Sequence, residues 1–187
     1  FVVHFGIEGG WPGIPHHMVL FAPRYESLLE DVFDRGVLPA DLPIFLNHPS
    51  VTDSSLAADG RSVFQAVVPV AHMGKLTVDW EQVGPMLEQR VLAEIERRLI
   101  PDLPDRIVTR FHYAPRDFAL DFNAHLGSAF GLEPVPVQSG WLRLRDRDEV
   151  IGNLYLVGSS TCPGGGIPGV LDGAKATARR MLGDLAR

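Results

Sequence analysis

The residues best suited to chemistry lie near the end of the chain. The run Asn-Leu-Tyr-Leu-Val-Gly-Ser-Ser-Thr-Cys-Pro-Gly-Gly-Gly-Ile-Pro-Gly-Val at 153–170 sets an apolar, strand-like stretch ahead of a glycine-rich loop and a helix. Gly158, Gly164, Gly165 and Gly166 carry no side chain, so backbone N–H groups can approach a ligand closely. Pro168 suits a first helical turn, where its missing N–H would have had no partner, and residues 167–170 are expected to leave free amide donors there. The dipole of such a helix favours negative charge by about 0.3 to 2 kcal/mol, enough to tune a ligand but not to drive a reaction. The implied guest is a bulky, partly anionic cofactor. The plainer alternative is a sharp turn between a core strand and a core helix. Gly164, Gly166 and Gly169 also satisfy G-x-G-x-x-G, but residues 159–163 separate them from the strand and no further strand follows, so the dinucleotide fingerprint is incomplete.

The segment 158–170, continued by Ala-Lys-Ala-Thr-Ala at 174–178, resembles the C-terminal signature of bacterial-type phytoene desaturases, the FAD-dependent carotenoid dehydrogenases. Asn-Ala-His-Leu-Gly-Ser-Ala-Phe-Gly-Leu-Glu-Pro at 123–134 and Gln-Ser-Gly-Trp at 138–141 resemble landmarks of the same family in the same order. Similarity reaches back to Phe-Val-Val-His-Phe-Gly at 1–6 and to His16 and His17. The resemblance implies FAD contacts at Gly158, Ser159, Thr161, Gly165, Gly166, Ile167, Pro168, Gly169 and Val170. It implies substrate contacts at His125, Gly127, Phe130 and Trp141, with no metal ligand and no assignable catalytic residue. The activity implied is desaturation of phytoene or a related carotene by hydride transfer to the flavin, in carotenoid biosynthesis. The partner is then a long polyene hydrocarbon, and the enzyme is expected in the cytoplasm, peripheral to the inner face of the cell membrane. Two other readings stay open: a flavoprotein desaturase or isomerase of another long isoprenoid, and a non-catalytic lipid-binding or interaction module. The sequence departs from the family at Cys162, where many relatives carry His, and after Trp141, where Arg143-Leu144-Arg145 replaces an Arg-Pro pair.

By the same resemblance, residues 1–150 are a partial substrate-binding domain and 151–187 the last strand and helix of the FAD-binding domain. The N-terminal FAD-binding unit of that domain has no counterpart here, and the opening at Phe1 inside a strand-like run suggests residues before it. Such a piece is expected to be inactive alone. The 187 residues carry 17 Lys and Arg against 23 Asp and Glu, a net charge of -6. That balance argues against a nucleic-acid partner, which needs a concentrated basic surface. The single cysteine, Cys162, excludes an internal disulfide framework and a cysteine-based zinc site. No apolar run reaches about 18 residues, so no membrane-spanning helix is expected.

Other reactive side chains have weaker context. His16 and His17, if in a regular strand, face opposite sides and make a poor metal pair, and His4, His72, His112 and His125 read as hydrogen-bonded structural residues. Cys162 beside a helix entrance has a route to a lowered thiol pKa, but no Cys-His-acid pattern accompanies it. Arg143 reads equally as a ligand contact or as a solvated arginine. Asp117 and Asp121 form an i, i+4 pair that reads as a wet helix face. Trp11, Met18, Phe21, Phe45, Phe64, Phe118, Phe122 and Phe130 are candidates for core or for a polyene-binding wall.

The elements that must position these residues follow from periodicity. Strands are expected at 1–7, 17–22, 43–47, 63–70, 107–113, 135–144 and 154–157, and helices at 24–35, 79–99, 115–123 and after the glycine loop. Pro85 is expected to bend or mark the start of the second helix. The sum is an α+β fold: an antiparallel sheet with helices on one face, plus the terminal strand-helix pair of a Rossmann-like FAD domain.

Overall fold

The computed structural model describes residues 1–133 and 135–186, with Tyr25 described in its backbone alone. The chain forms two compact units, Phe1–Gly127 and Ser128–Arg187.

The first unit is built on a five-stranded sheet of β1 (Val2–Glu8), β2 (His17–Leu20), β3 (Ile44–Asn47), β4 (Arg61–Val67) and β5 (Ile107–Tyr113), in the order β2-β3-β4-β1-β5. Every neighbouring pair is antiparallel. Alternation along the strands sends Val3, Phe5, Ile7, Ile44, Leu46, Phe64 and Ala66 to one face, where each is at most 2% exposed. The helix α2 (Trp80–Arg98) brings its i, i+4 stripe of Leu87, Val91 and Ile95 into that same core. Asp79 caps it, its carboxylate accepting from the Glu81 N–H at 3.0 Å and from Gln82 Nε2 at 2.8 Å. The cap fixes the start at Trp80, so Pro85 lies inside the helix rather than at its beginning. Gly84 leaves room for His112, whose Nε2 would lie 2.6 Å from a Cβ there. Glu88, one turn on, binds His112 Nδ1 at 2.5 Å and Arg110 Nε at 2.9 Å, fastening α2 to β5.

Two details differ from the periodicity. The helix expected over 24–35 is α only at α1 (Tyr25–Leu29) and widens to a π-helix over Glu30–Arg35, ending at Gly36 with φ 65°. Against that end, the Phe33 carbonyl accepts from Lys75 Nζ, and a Cβ on Gly36 would fall 2.9 Å from the Lys75 carbonyl oxygen. After the short α3 (Leu103–Arg106), the helix α4 (Pro115–Phe122) does not share the core face with α2. Its Phe118 and Phe122 surround Tyr113 at 5.5 and 6.1 Å between ring centroids, and Tyr113 belongs to the opposite face of the sheet.

In the second unit, residues 135–144 are not a strand but two 3-10 turns, Pro136–Gln138 and Gly140–Leu142. Residues 154–157 are likewise irregular, touching the ladder pattern only where Tyr155 bridges Arg147. A strand is stabilised by neighbours that take up its backbone hydrogen bonds, and among the described residues these segments meet isolated bridges alone. The helix α5 (Ile167–Leu185) organises the unit. Tyr155 Oη donates to Asp184 at 2.6 Å, Arg180 pairs with Asp146 at 2.9 Å, and Thr177 Oγ1 donates to the Leu156 carbonyl at 3.4 Å.

Candidate functional site

The glycine-rich loop reaches α5 through a chain of close backbone contacts. Thr161 is buried and spends both its hydroxyl and its N–H on the Gly158 carbonyl, at 2.9 and 3.2 Å, closing the first turn of the loop. Gly158, Gly164 and Gly166 adopt φ of 135°, 130° and 84°, values that a side chain would strain. A Cβ on Gly169 would sit 2.7 Å from the Gly164 carbonyl oxygen, and one on Gly173 would sit 3.2 Å from that of Cys162. Gly169 therefore lets the loop lie against the first turn of α5. Ser159 backs onto Gly131, where a Cβ would be 2.9 Å from the Ser159 hydroxyl.

Outward, the loop is open. Gly165, Gly166, Ile167 and Pro168 are exposed, and a Cβ at Gly158, Gly165 or Gly166 would meet nothing within 4 Å. The Val170 N–H donates to the Gly166 carbonyl at 3.0 Å and begins the helical ladder. Pro168 has no N–H, so the donors left at the helix start are those of Ile167 and Gly169 rather than of all four residues 167–170.

Arg143 is the residue that sequence reasoning placed least well. It is neither solvated nor extended toward a ligand surface: it is 8% exposed. Its Nε donates to Thr161 O at 3.1 Å, and its two terminal nitrogens donate to Gln138 O at 3.3 Å and Ser159 O at 2.6 Å. Cys162 is exposed and its N–H donates to Leu144 O at 2.9 Å.

The four candidate substrate residues fall in different units. His125 and Gly127 lie in the first, on the turn after α4, and Phe130 and Trp141 in the second. Phe130 is 77% and Trp141 96% exposed, free to meet a ligand. Gly127 is buried with φ 72°, and a Cβ would fall 2.1 Å from the Pro115 carbonyl oxygen, so packing alone requires glycine there. Asp117 and Asp121 are each engaged, one by the Ala114 N–H at 2.7 Å and the other by Tyr113 Oη at 2.7 Å. His16 precedes β2, so its ring is not opposed to that of His17 but lies 4.4 Å from it, with Nδ1 on Thr52 Oγ1 at 2.7 Å.

No family model matches the chain. Among curated proteins it is 45% identical over 186 residues to a lycopene-forming phytoene desaturase of Paracoccus sp. (strain N81106 / MBIC 01143), covering 100% of this chain and 37% of that protein. A lycopene-forming phytoene desaturase of Pantoea ananas is 45% identical over 185 residues, with 99% of this chain and 38% of that protein covered. A neurosporene-forming phytoene desaturase of Cereibacter sphaeroides is 36% identical over 183 residues, covering 96% and 35%. This chain belongs to the phytoene desaturase family. It spans a little over a third of the length of these relatives.

For this phytoene desaturase family chain, the sheet supplies a second surface of interest, the face turned away from the core. Register places Val19, Phe45, Val67, Val2 and Tyr113 side by side, one from each strand, in a row that is apolar or aromatic throughout. The adjoining row is His17, Asn47, Gln65, His4 and Phe111, where His4 stacks on Phe111 at 4.7 Å, and across the rows His17 stacks on Phe45 at 5.6 Å. Burial holds the His4 pKa below its ordinary value, which favours the neutral, less hydrated ring. Phe45 and Phe111 are 42% and 52% exposed, whereas Phe64 is fully buried, so the structure separates core aromatics from exposed ones where the sequence did not.

Proposed function

We propose that this chain is part of an FAD-dependent desaturase of phytoene or a related carotene, with residues 151–187 supplying the glycine-rich loop and the last helix of its flavin domain. The observation that carries the reading is identity of 45% along the whole chain to proteins named phytoene desaturases. The open loop supports it. Exposed backbone at Gly165 and Gly166, unobstructed by neighbours, suits the edge of a flat tricyclic ring.

In this reading Gly165, Gly166, Ile167 and Gly169 present main-chain donors to the flavin, while Gly158 and Thr161 shape the loop behind them. Ser159, Pro168 and Val170 flank those donors. When bound, the flavin supplies the electron sink for removal of hydrogen from the polyene. The chain's own part is to hold and orient. The partial positive charge at the start of α5 favours negative charge on the ring edge. Val19 and Phe45, 47% and 42% exposed at one end of the row, offer apolar area on which a polyene gains affinity, at about 25 cal/mol per Å² buried. His125, Phe130 and Trp141 add contacts to the substrate. No helix is long and apolar enough to cross a membrane, and a substrate that dissolves in lipid calls for peripheral contact, here assigned to the inner face of the cell membrane.

The test is expression of the full-length protein, reconstitution with FAD, and incubation with phytoene in liposomes. Growth of absorbance at longer wavelength, with flavin retained on the protein, is the expected result. A full-length protein that holds no flavin and leaves the phytoene spectrum unchanged would overturn the proposal.

A further inference from the structure

Arg143 is a buried cation whose partners, among the described residues, are all main-chain carbonyls. Removing a guanidinium from water is costly unless its donors are used, and its rigid fork can serve several acceptors at once. Here the fork joins two stretches of the second unit: the turn carrying Gln138 and the loop carrying Ser159 and Thr161. Gly164 packs on the same group, since a Cβ there would lie 3.7 Å from both Cζ and Nε of Arg143. Gly164 is in turn the residue whose carbonyl rests against Gly169 in the first turn of α5. An unbroken series of contacts thus runs from Arg143 through the loop to the helix start.

We infer that Arg143 is the positioning residue of the flavin-facing loop, fixing where the N–H groups of Gly165, Gly166, Ile167 and Gly169 stand while touching neither flavin nor polyene. The inference rests on the flavin reading for its functional consequence, and on geometry alone for its effect on the loop. Lysine cannot replace it, because an ammonium group is a compact point charge without the planar fork that meets three divergent carbonyls.

The experiment uses the full-length protein with Arg143→Lys and Arg143→Gln, and Lys175→Ala as an exposed control. Amide hydrogen exchange at Thr161 and Cys162, whose N–H groups close the loop, is measured beside FAD affinity by quenching of flavin fluorescence. Both Arg143 variants are expected to exchange at least about tenfold faster at these two amides, and to bind FAD about tenfold more weakly. The KM for phytoene at saturating FAD should stay unchanged, a separation that general destabilisation would not produce. Wild-type protection and wild-type FAD affinity in both variants would overturn the inference, as would a phytoene KM that rises in step with the FAD Kd. If Arg143→Gln does not fold, the lysine variant alone decides. If the unmodified protein fails to bind FAD, the flavin reading falls, and exchange at Thr161 and Cys162 still decides whether Arg143 holds the loop.

Discussion

Glycine carries several meanings at the scale of single residues. Gly165 and Gly166 are open to an approaching ligand, whereas Gly127 and Gly169 are closed by backbone of the same chain. Sequence alone could not separate these cases, because both present the same absent side chain. The resemblance implies a substrate contact at Gly127, yet the Pro115 carbonyl already occupies the space its Cβ would need. Gly127→Ala is therefore expected to lower stability by at least about 2 kcal/mol, since it combines a positive φ with a main-chain clash. A urea midpoint unchanged from the parent protein would contradict this. Arg143 escaped for a related reason: an arginine flanked by Leu142 and Leu144 has no signature that distinguishes a carbonyl clamp from a solvent-facing charge. The cue available in sequence was its place two residues after Trp141, close to the family landmark.

At the scale of elements, the regular pieces with strong internal pattern were legible. The strand β5 falls on residues 107–113 as its alternation indicates, and α2 agrees with its stripe to within a residue at each end. What failed were segments whose state depends on neighbours. Residues 135–144 and 154–157 have strand-like composition but find no continuous ladder among the described residues, so they settle into turns and bridges. The outer face of the sheet was hidden for another reason: the row from Val19 to Tyr113 takes one residue from each of five strands and exists only in their register. Phe111→Ser tests that face. With Phe111 half exposed, stability should shift by less than about 1 kcal/mol. Turnover of phytoene by the full-length protein should fall about tenfold with FAD content preserved; unchanged turnover would remove Phe111 from the proposed wall.

For the whole molecule, the two units differ in how they are held. The first has a continuous core in which Phe5, Phe64, Leu46, Leu87 and Ile95 are buried to 2% exposure or less. In the second, the buried residues among those described are Arg143, Thr161, Gly164, Gly173 and Thr177, with no large apolar side chain among them. Leu171, Leu182 and Leu185 of α5 are all more than half exposed. Hydrophobic burial is the dominant favourable contribution to folding, so the second unit relies on hydrogen bonds and ion pairs that are individually weak. Residues 1–127 are expected to melt cooperatively when produced alone, while 128–187 should show helical far-ultraviolet dichroism without a sharp transition. Cooperative melting of the isolated second piece would contradict that division.

The row across the sheet also sets a length scale. Neighbouring strands stand about 4.8 Å apart, so five residues in register from Val19 to Tyr113 span about 19 Å. Val2 is 8% exposed and Tyr113 is flanked by Phe118 and Phe122, so the span closes toward its Tyr113 end, and a guest laid on it would have to approach from the side of Val19 and Phe45.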